Sequence, residues 1–417
     1  MEPKFQKQKH TLLMPDLFPI HMEFLASAIR ASGYRVQVLR SSGKAVLDLS
    51  LRYIHNDMCY PAMCSLGQEL HAITSGEYPL DSIALIQFQT GGGCRASNYG
   101  MMLKKALEKL KLSQIPVVTF GFSNLALGSG FSITPLMCQR LLAALTYGDL
   151  LMLLTNQIRP YACQPSQVQA LASQWSAKLQ EELATTRSGI TRVKKNIKQM
   201  VRAFAAIPTQ VKQKVRVGIV GEIYVKYSPF ANNHLEEFLQ TQDCEYMLPG
   251  VLGFIHYCLT GPAVDCELYG GSPICRGVSL ALGRIVQIYE NALSQALAPF
   301  PQFHRPPSFQ EMRRKGEQVL SRGVRMGEGW YLPAEMAELI EGGYPNIICA
   351  QPFGCLPNHI VGRGTLRKLQ SLYPQANITS IDYDANVSQV NQENRIKLLL
   401  SNARDRLGQQ QTASSIV

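Results

Sequence analysis

Short apolar runs recur along this chain between helical stretches, and each ends on a turn rich in Gly or Pro. Residues 82–88 run into Gln89-Thr90-Gly91-Gly92-Gly93, residues 215–220 into Gly221, and residues 346–350 into Gln351-Pro352-Phe353-Gly354. A strand apolar on both faces needs cover on both, which is the situation of a parallel strand between layers of helices. The intervening segments have helical spacing: residues 20–31 carry an apolar face and stop before Gly33, and residues 67–74 and 97–112 flank the run at 82–88. Further strands are expected at 34–39, 116–120 and 377–382. The pattern predicts an α/β fold of two doubly wound, largely parallel-sheet domains with helical insertions. The first occupies 1–133, a helical connecting segment 134–214, and the second 215–400 with a helical insertion at about 277–340. Residues 401–417 form a polar tail, expected to be disordered.

The chain has 417 residues, enough for two or three domains, and 46% of them are hydrophobic against 17% charged. That balance excludes a chain disordered throughout. No apolar run reaches the roughly 20 residues of a membrane span. The longest, 141–154, contains Gly148 and Asp149, and Met1-Glu2-Pro3-Lys4 lacks the apolar core of a signal peptide. These features predict a cytoplasmic protein without a membrane span. The net charge of +11 does not indicate nucleic acid, because the cations are scattered and no aromatic-interleaved motif accompanies them. The densest run, Arg187, Arg192, Lys194, Lys195, Lys198 and Arg202, reads as a solvated helix face before it reads as a docking face.

Eleven cysteines, an odd number spread over a long chain, argue against a secreted disulfide framework. The default reading of each is a buried apolar thiol. Three differ. Cys94 follows the strand at 82–88 and three glycines and precedes a helix, so it lies at the C-terminal sheet edge where open α/β folds bind ligands. Gly91, Gly92 and Gly93 let the backbone amides turn toward an anion or a metal–thiolate cluster. Cys355 holds the matching place after 346–350, and Cys59 lies in Asn56-Asp57-Met58-Cys59-Tyr60-Pro61, just before an expected helix start. Turns are not where packing cysteines usually fall, so Cys59, Cys94 and Cys355 are the candidate metal ligands. The chain has no Cys-x-x-Cys pair, so neither zinc ribbons nor thioredoxin-like sites are supported. Cys64 reads as a packing thiol or an optional fourth ligand, Cys349 as core, and Cys266 and Cys275 flank Gly270-Gly271. Gly91-Gly92-Gly93 lacks the Lys-Ser/Thr of a phosphate loop, and Gly218-Ile219-Val220-Gly221 lacks the third glycine of a dinucleotide fingerprint.

Five blocks carry a family resemblance: Asn56 to Pro61, Gln89 to Tyr99, Gly221-Glu222-Ile223-Tyr224-Val225-Lys226, Gln351 to His359, and Ile381-Asp382-Tyr383-Asp384. Together they resemble the C-terminal portion of the acyl-CoA dehydratase activase-related proteins, a group similar to the 2-hydroxyacyl-CoA dehydratase subunits and the double-cubane-cluster reductases. The similarity extends over roughly residues 10 to 400. It implies an oxygen-sensitive iron-sulfur cluster, either a single 4Fe-4S unit or a larger double-cubane type, in a cleft between the two α/β domains. It also implies reduction by an ATP-hydrolysing activase or reductase, and assembly as a homodimer or a related-subunit heterodimer. Long members of the group carry ATPase domains ahead of this region, so here the activase is expected on another polypeptide. Arg95 and Glu222 are the polar residues placed nearest the site. The expected function is the cluster-bearing component of an ATP-driven low-potential reductase or 2-hydroxyacyl-CoA dehydratase-like system. The alternative is a non-catalytic iron-sulfur electron carrier or scaffold.

Overall fold

The computed structural model describes residues 3–55, 57–90, 93–121, 129–185 and 189–414. The chain divides into two compact units, Met1–Gly148 with Trp175–Val193, and Asp149–Gln174 with Lys194–Val417. In the first unit, strands β1 (Thr11–Pro15), β2 (Arg35–Leu39), β3 (Ile83–Gln89) and β4 (Val117–Gly121) alternate with helices. These are α1 (Pro19–Arg30), α2 (Lys44–Tyr53), α3 (Tyr60–Thr74) and α4 (Tyr99–Lys109). The strands are all parallel in the order β2-β1-β3-β4. The twofold alternation of a strand explains the two apolar layers. Leu12, Met14, Ala84 and Ile86 pack with Met22 and Ala26 of α1, while Leu13, Ile83 and Leu85 pack with Leu66 and Leu70 of α3 and Leu103 of α4.

Three long helices follow, α5 (Pro135–Ile158), α6 (Pro165–Thr185) and α7 (Ile190–Ala205). By length and composition α5 is apolar enough to cross a membrane, but 89% of its most apolar window is buried inside the fold. Its two interruptions have packing roles. A Cβ at Gly148 would stand 2.2 Å from the His21 ring of α1. Asp149 accepts hydrogen bonds from the Val251 and Leu252 amides at 2.7 and 2.9 Å. On α7, Lys194, Lys195, Lys198 and Arg202 are exposed while Val193, Ile197, Met200 and Phe204 are buried, the arrangement of a solvated cationic face; Arg187 lies outside the described residues.

The second sheet is built from β5 (Arg216–Gly221), β6 (Glu245–Met247), β7 (Asn346–Pro352) and β8 (Asn377–Tyr383). Its order is β6-β5-β7-β8, again all parallel. Between these strands come α8 (Leu235–Thr241), α9 (Val251–Tyr269), α10 (Pro273–Leu297), α11 (Phe309–Val319) and α12 (Tyr331–Glu341). After β7 come α13 (Leu356–Asn358) and α14 (Leu366–Leu372), and α15 (Gln389–Ser414) closes the unit. The two sheets therefore share one topology, which no short-period repeat in the sequence announces. In each, the first and third strands in chain order lie side by side at the switch point.

The expected α/β class with two doubly wound parallel sheets is what the chain adopts. Some boundaries move. The helix expected at 67–74 begins at Tyr60, and the one expected at 97–112 is a 3-10 turn, Arg95–Asn98, leading into α4. The polar tail is not disordered over its described part, since α15 runs to Ser414. Its buried residues Leu399, Leu400 and Ala403 anchor a segment of Arg, Gln and Ala with good helix propensity.

Candidate functional site

In the first unit, β1 ends at Pro15 and β3 at Gln89, so Asp16 and the turn leading to Cys94 follow the two central strands. Cys94 is the N-cap of the 3-10 turn and Cys59 the N-cap of α3; both are extended, with ψ of 152° and 149°. Neither side chain caps its helix. Two contacts draw these segments together. The Arg95 guanidinium donates to the Asp57 carbonyl, and Cys59 Sγ lies 2.8 Å from the Tyr99 hydroxyl. Arg95, expected near the cofactor, is thus exposed and ties the Cys59 turn to the Cys94 turn. Gly93 is exposed, and Gly91 and Gly92 lie outside the described residues.

The second unit repeats the arrangement. Glu222 directly follows β5 as Asp16 follows β1, and Cys355 follows β7 as Cys94 follows β3. Cys355 is the N-cap of α13, buried at 9% exposure. Its turn is fixed by the Phe353 amide on the Tyr383 carbonyl at 2.9 Å, the Cys355 amide on the Pro352 carbonyl at 3.1 Å, and Gly354 at φ +68°. That φ favours glycine. Gly221 is equally constrained: at φ +140°, a Cβ there would stand 1.8 Å from the Ala350 carbonyl oxygen.

Around this turn the motif residues form one polar network. Glu222 accepts from the Tyr224 and Val225 amides at 3.0 and 2.8 Å. Glu328, from the loop before α12, accepts from the Ile223 amide at 3.1 Å and from Asn358 Nδ2 at 2.7 Å. Desolvation, reinforced by the Glu328 charge, pushes the Glu222 carboxyl up to about 8, and burial raises Glu328 as well. Two carboxylates sharing a low-dielectric pocket cannot both ionise easily, so the pair holds a proton at neutral pH. Lys226 pairs with Glu335 of α12 at 2.8 and 3.0 Å, with both side chains 2% exposed. On the far side, Asp382 accepts from Gln351 and Arg363, both at 2.7 Å. Glu328 and Glu335 lie outside the sequence motifs, and only the tertiary fold brings them to Glu222, Lys226 and Asn358.

All eleven cysteines are thiols. Cys64 and Cys349 are fully buried packing residues, and burial pushes Cys349 up to about 12 and Cys244 up to about 11. Cys266, near the end of α9, and Cys275, in the first turn of α10, flank the turn between the two helices, and Cys266 Sγ lies 3.7 Å from the Ser272 carbonyl. Among the described residues, no group of three or more His, Cys, Asp or Glu side chains is placed to hold a metal ion. The chain matches no protein-family model and no curated protein.

Proposed function

We propose that this protein is the cluster-bearing component of an ATP-driven low-potential reductase or 2-hydroxyacyl-CoA dehydratase-like system in the cytoplasm, with Cys59, Cys94 and Cys355 as thiolate ligands. The observation that carries the reading is the repeated placement. Two sheets of identical order each put a cysteine just beyond their third strand and a carboxylate just beyond their first. The group these thiolates would hold is an iron-sulfur cluster. Cys59 Sγ lies 2.8 Å from the Tyr99 hydroxyl, and all three cysteines occupy helix N-caps. Such a cluster, a 4Fe-4S or a larger double-cubane type, would supply one-electron transfer and an open iron for a substrate oxygen. The chain's own residues do the rest. Arg95 holds the Cys59 turn against the Cys94 turn, Gly354 and Gly221 shape the sheet edge, and Glu222 with Glu328 retains a proton close to the Cys355 turn.

Electron delivery is assigned to a separate ATP-hydrolysing activase or reductase, in keeping with the missing phosphate-loop lysine. Self-association as a homodimer is supported by α10. Ile274, Val278, Ala281, Ile285 and Ile288 recur at alternating spacings of four and three, and the four large residues are 78%, 55%, 46% and 47% exposed. The opposite face, with Ser279, Gly283, Val286 and Tyr289, is buried. Pairing this stripe with its copy would remove on the order of 1,000 Å² of mostly apolar surface, near the lower bound for a stable interface.

The test is anaerobic purification with iron and sulfide analysis. The expected result is brown protein with about four or more irons per chain, most of them lost in Cys94→Ala and in Cys355→Ala. Stoichiometric zinc, or full iron retention in both variants, overturns the assignment.

A further inference from the structure

A cavity of about 250 Å³ opens among α9, α10, α11 and the loop after α11, all within the second unit. Its apolar side is aromatic. Phe309 stacks on His256 with centroids 3.9 Å apart, and Trp330 meets Tyr257 edge-on at 5.5 Å. Its polar side is cationic: Arg276, Arg284, Arg313, Arg322 and Arg325 line it against one carboxylate, Glu267.

Three of these guanidiniums have structural partners. Arg322 grips Glu267 through two nitrogens, one at 2.9 Å, Arg313 reaches Glu317 at 3.0 Å, and Arg325 pairs with Asp265. Even so, the Arg325 Nε is buried with no acceptor. Arg276 and Arg284 are exposed, and among the described residues neither side chain makes a hydrogen bond or close ion pair, though the Arg276 charge acts on Glu267. Glu317, Glu267 and Asp265 offset three of the five guanidinium charges, which leaves the positive charge of Arg276 and Arg284 facing the cavity. The two unpartnered arginines are eight residues apart on α10, about 12 Å along its axis. Their long side chains can therefore approach a single head group from two sides.

We infer that this cavity binds a small organic anion, a flat apolar body carrying a phosphate or carboxylate head. The body lies against the Phe309, Tyr257 and Trp330 wall, and the head accepts charge-assisted hydrogen bonds from Arg276, Arg284 and the spare Arg325 donor. The volume corresponds to about eight waters, which suits one ring and its head group and excludes a whole dinucleotide. The inference goes beyond the cluster assignment, and Cys59, Cys94 and Cys355 take no part in it. Protein with or without a cluster therefore serves in the test.

The chain has two tryptophans, Trp175 and Trp330. A Trp175→Phe background leaves Trp330, on the cavity wall, as the reporter. Titrations with phenyl phosphate, benzoate, phenol and inorganic phosphate separate head from body. The expected result is saturable change with phenyl phosphate or benzoate at least tenfold tighter than with phenol or inorganic phosphate. The stronger of the two acids identifies the head. Arg276→Gln with Arg284→Gln should weaken it at least tenfold with little change in the urea midpoint, because both side chains are exposed and neither makes a hydrogen bond or close ion pair with the fold. Three outcomes overturn the inference: phenol binding as tightly as the acids, unchanged acid binding in the double variant, or no saturable response to any of the four.

Discussion

Replacing Glu222 by Gln should stabilise the second unit, and only at neutral to alkaline pH. The Glu222 carboxyl is held at about 8 in the fold, against an ordinary value of 4.5, by desolvation and by the neighbouring Glu328. Below about 4.5 the group is protonated whether the chain is folded or unfolded, and it contributes nothing. Between about 4.5 and 8 the folded state binds a proton that the unfolded state has released, so stability falls as pH rises, at up to about 1.4 kcal/mol per pH unit. Over the whole window the upper bound is about 5 kcal/mol. Sharing of the proton with Glu328 lowers the expectation to about 2–3 kcal/mol at pH 8. Gln keeps the side-chain oxygen that accepts from the Tyr224 and Val225 amides, so the cap survives while the charge is removed. The assay is urea unfolding from pH 5 to 9, followed by Trp330 fluorescence in a Trp175→Phe background, which reports on the unit that holds Glu222. Wild type should lose more stability through the window than Glu222→Gln, which keeps the raised Glu328, so the gap between the two curves should open from near zero at about pH 5. A variant that is less stable at pH 8, or a difference that does not change with pH, would refute the reasoning.

Lys226→Met strands Glu335 in a site 2% exposed, beside Glu328 and Glu338, and should cost about 3–5 kcal/mol in the same assay. Lys226→Met with Glu335→Leu should recover most of that loss, since a buried pair is worth little more than well-packed apolar groups. Ile285→Lys places a charge in the exposed stripe of α10 and should convert a dimer to a monomer in light scattering without altering the far-UV spectrum. A wild-type chain that is already monomeric at high concentration would remove the basis for that interface.

The central strands were legible because their residues are apolar on both faces and stop at glycine or proline. β3, β5, β7 and β8 all lie within a residue or two of the expected positions. β1 and β6 were not. Thr11–Pro15 ends in a proline that discourages a strand reading, and Glu245–Met247 is three residues long, too short for any periodicity. The turns carrying Cys94 and Cys355 were readable from composition, since both are rich in glycine, the residue favoured at a φ such as the +68° of Gly354. The acidic network was half readable. Glu222, Lys226 and Asn358 stand inside recognisable blocks, whereas Glu328 and Glu335 reach them from the loop before α12 and from α12 itself, a pairing that no local signal encodes. The start of α3 at Tyr60 was readable from Pro61, which is well placed in a first helical turn and marks a beginning, although the helix was expected over 67–74 as a separate element.

The two units place equivalent residues at equivalent points and then separate their chemistry through the neighbours they supply. Asp16 and Glu222 each follow a first strand, and burial raises both carboxyls. Asp16, however, faces Arg40 at 2.6 Å, and that cation opposes the rise. Glu222 faces a second carboxyl instead, with the Lys226 ammonium drawn off by Glu335. The proton-holding pair therefore belongs to the second unit alone. The cysteines proposed as ligands divide the other way, with Cys59 and Cys94 in the first unit and Cys355 in the second. A negatively charged cluster resists reduction because an added electron meets existing charge in a poorly solvated site. A neutral acid at the Cys355 turn is the cheapest group the fold can offer there, since it adds hydrogen-bonding capacity without adding charge. On the cluster reading proposed above, the two sheet edges would differ in what stands beside their cysteines: the Tyr99 hydroxyl at Cys59 in the first unit, and a raised carboxyl pair at the Cys355 turn in the second.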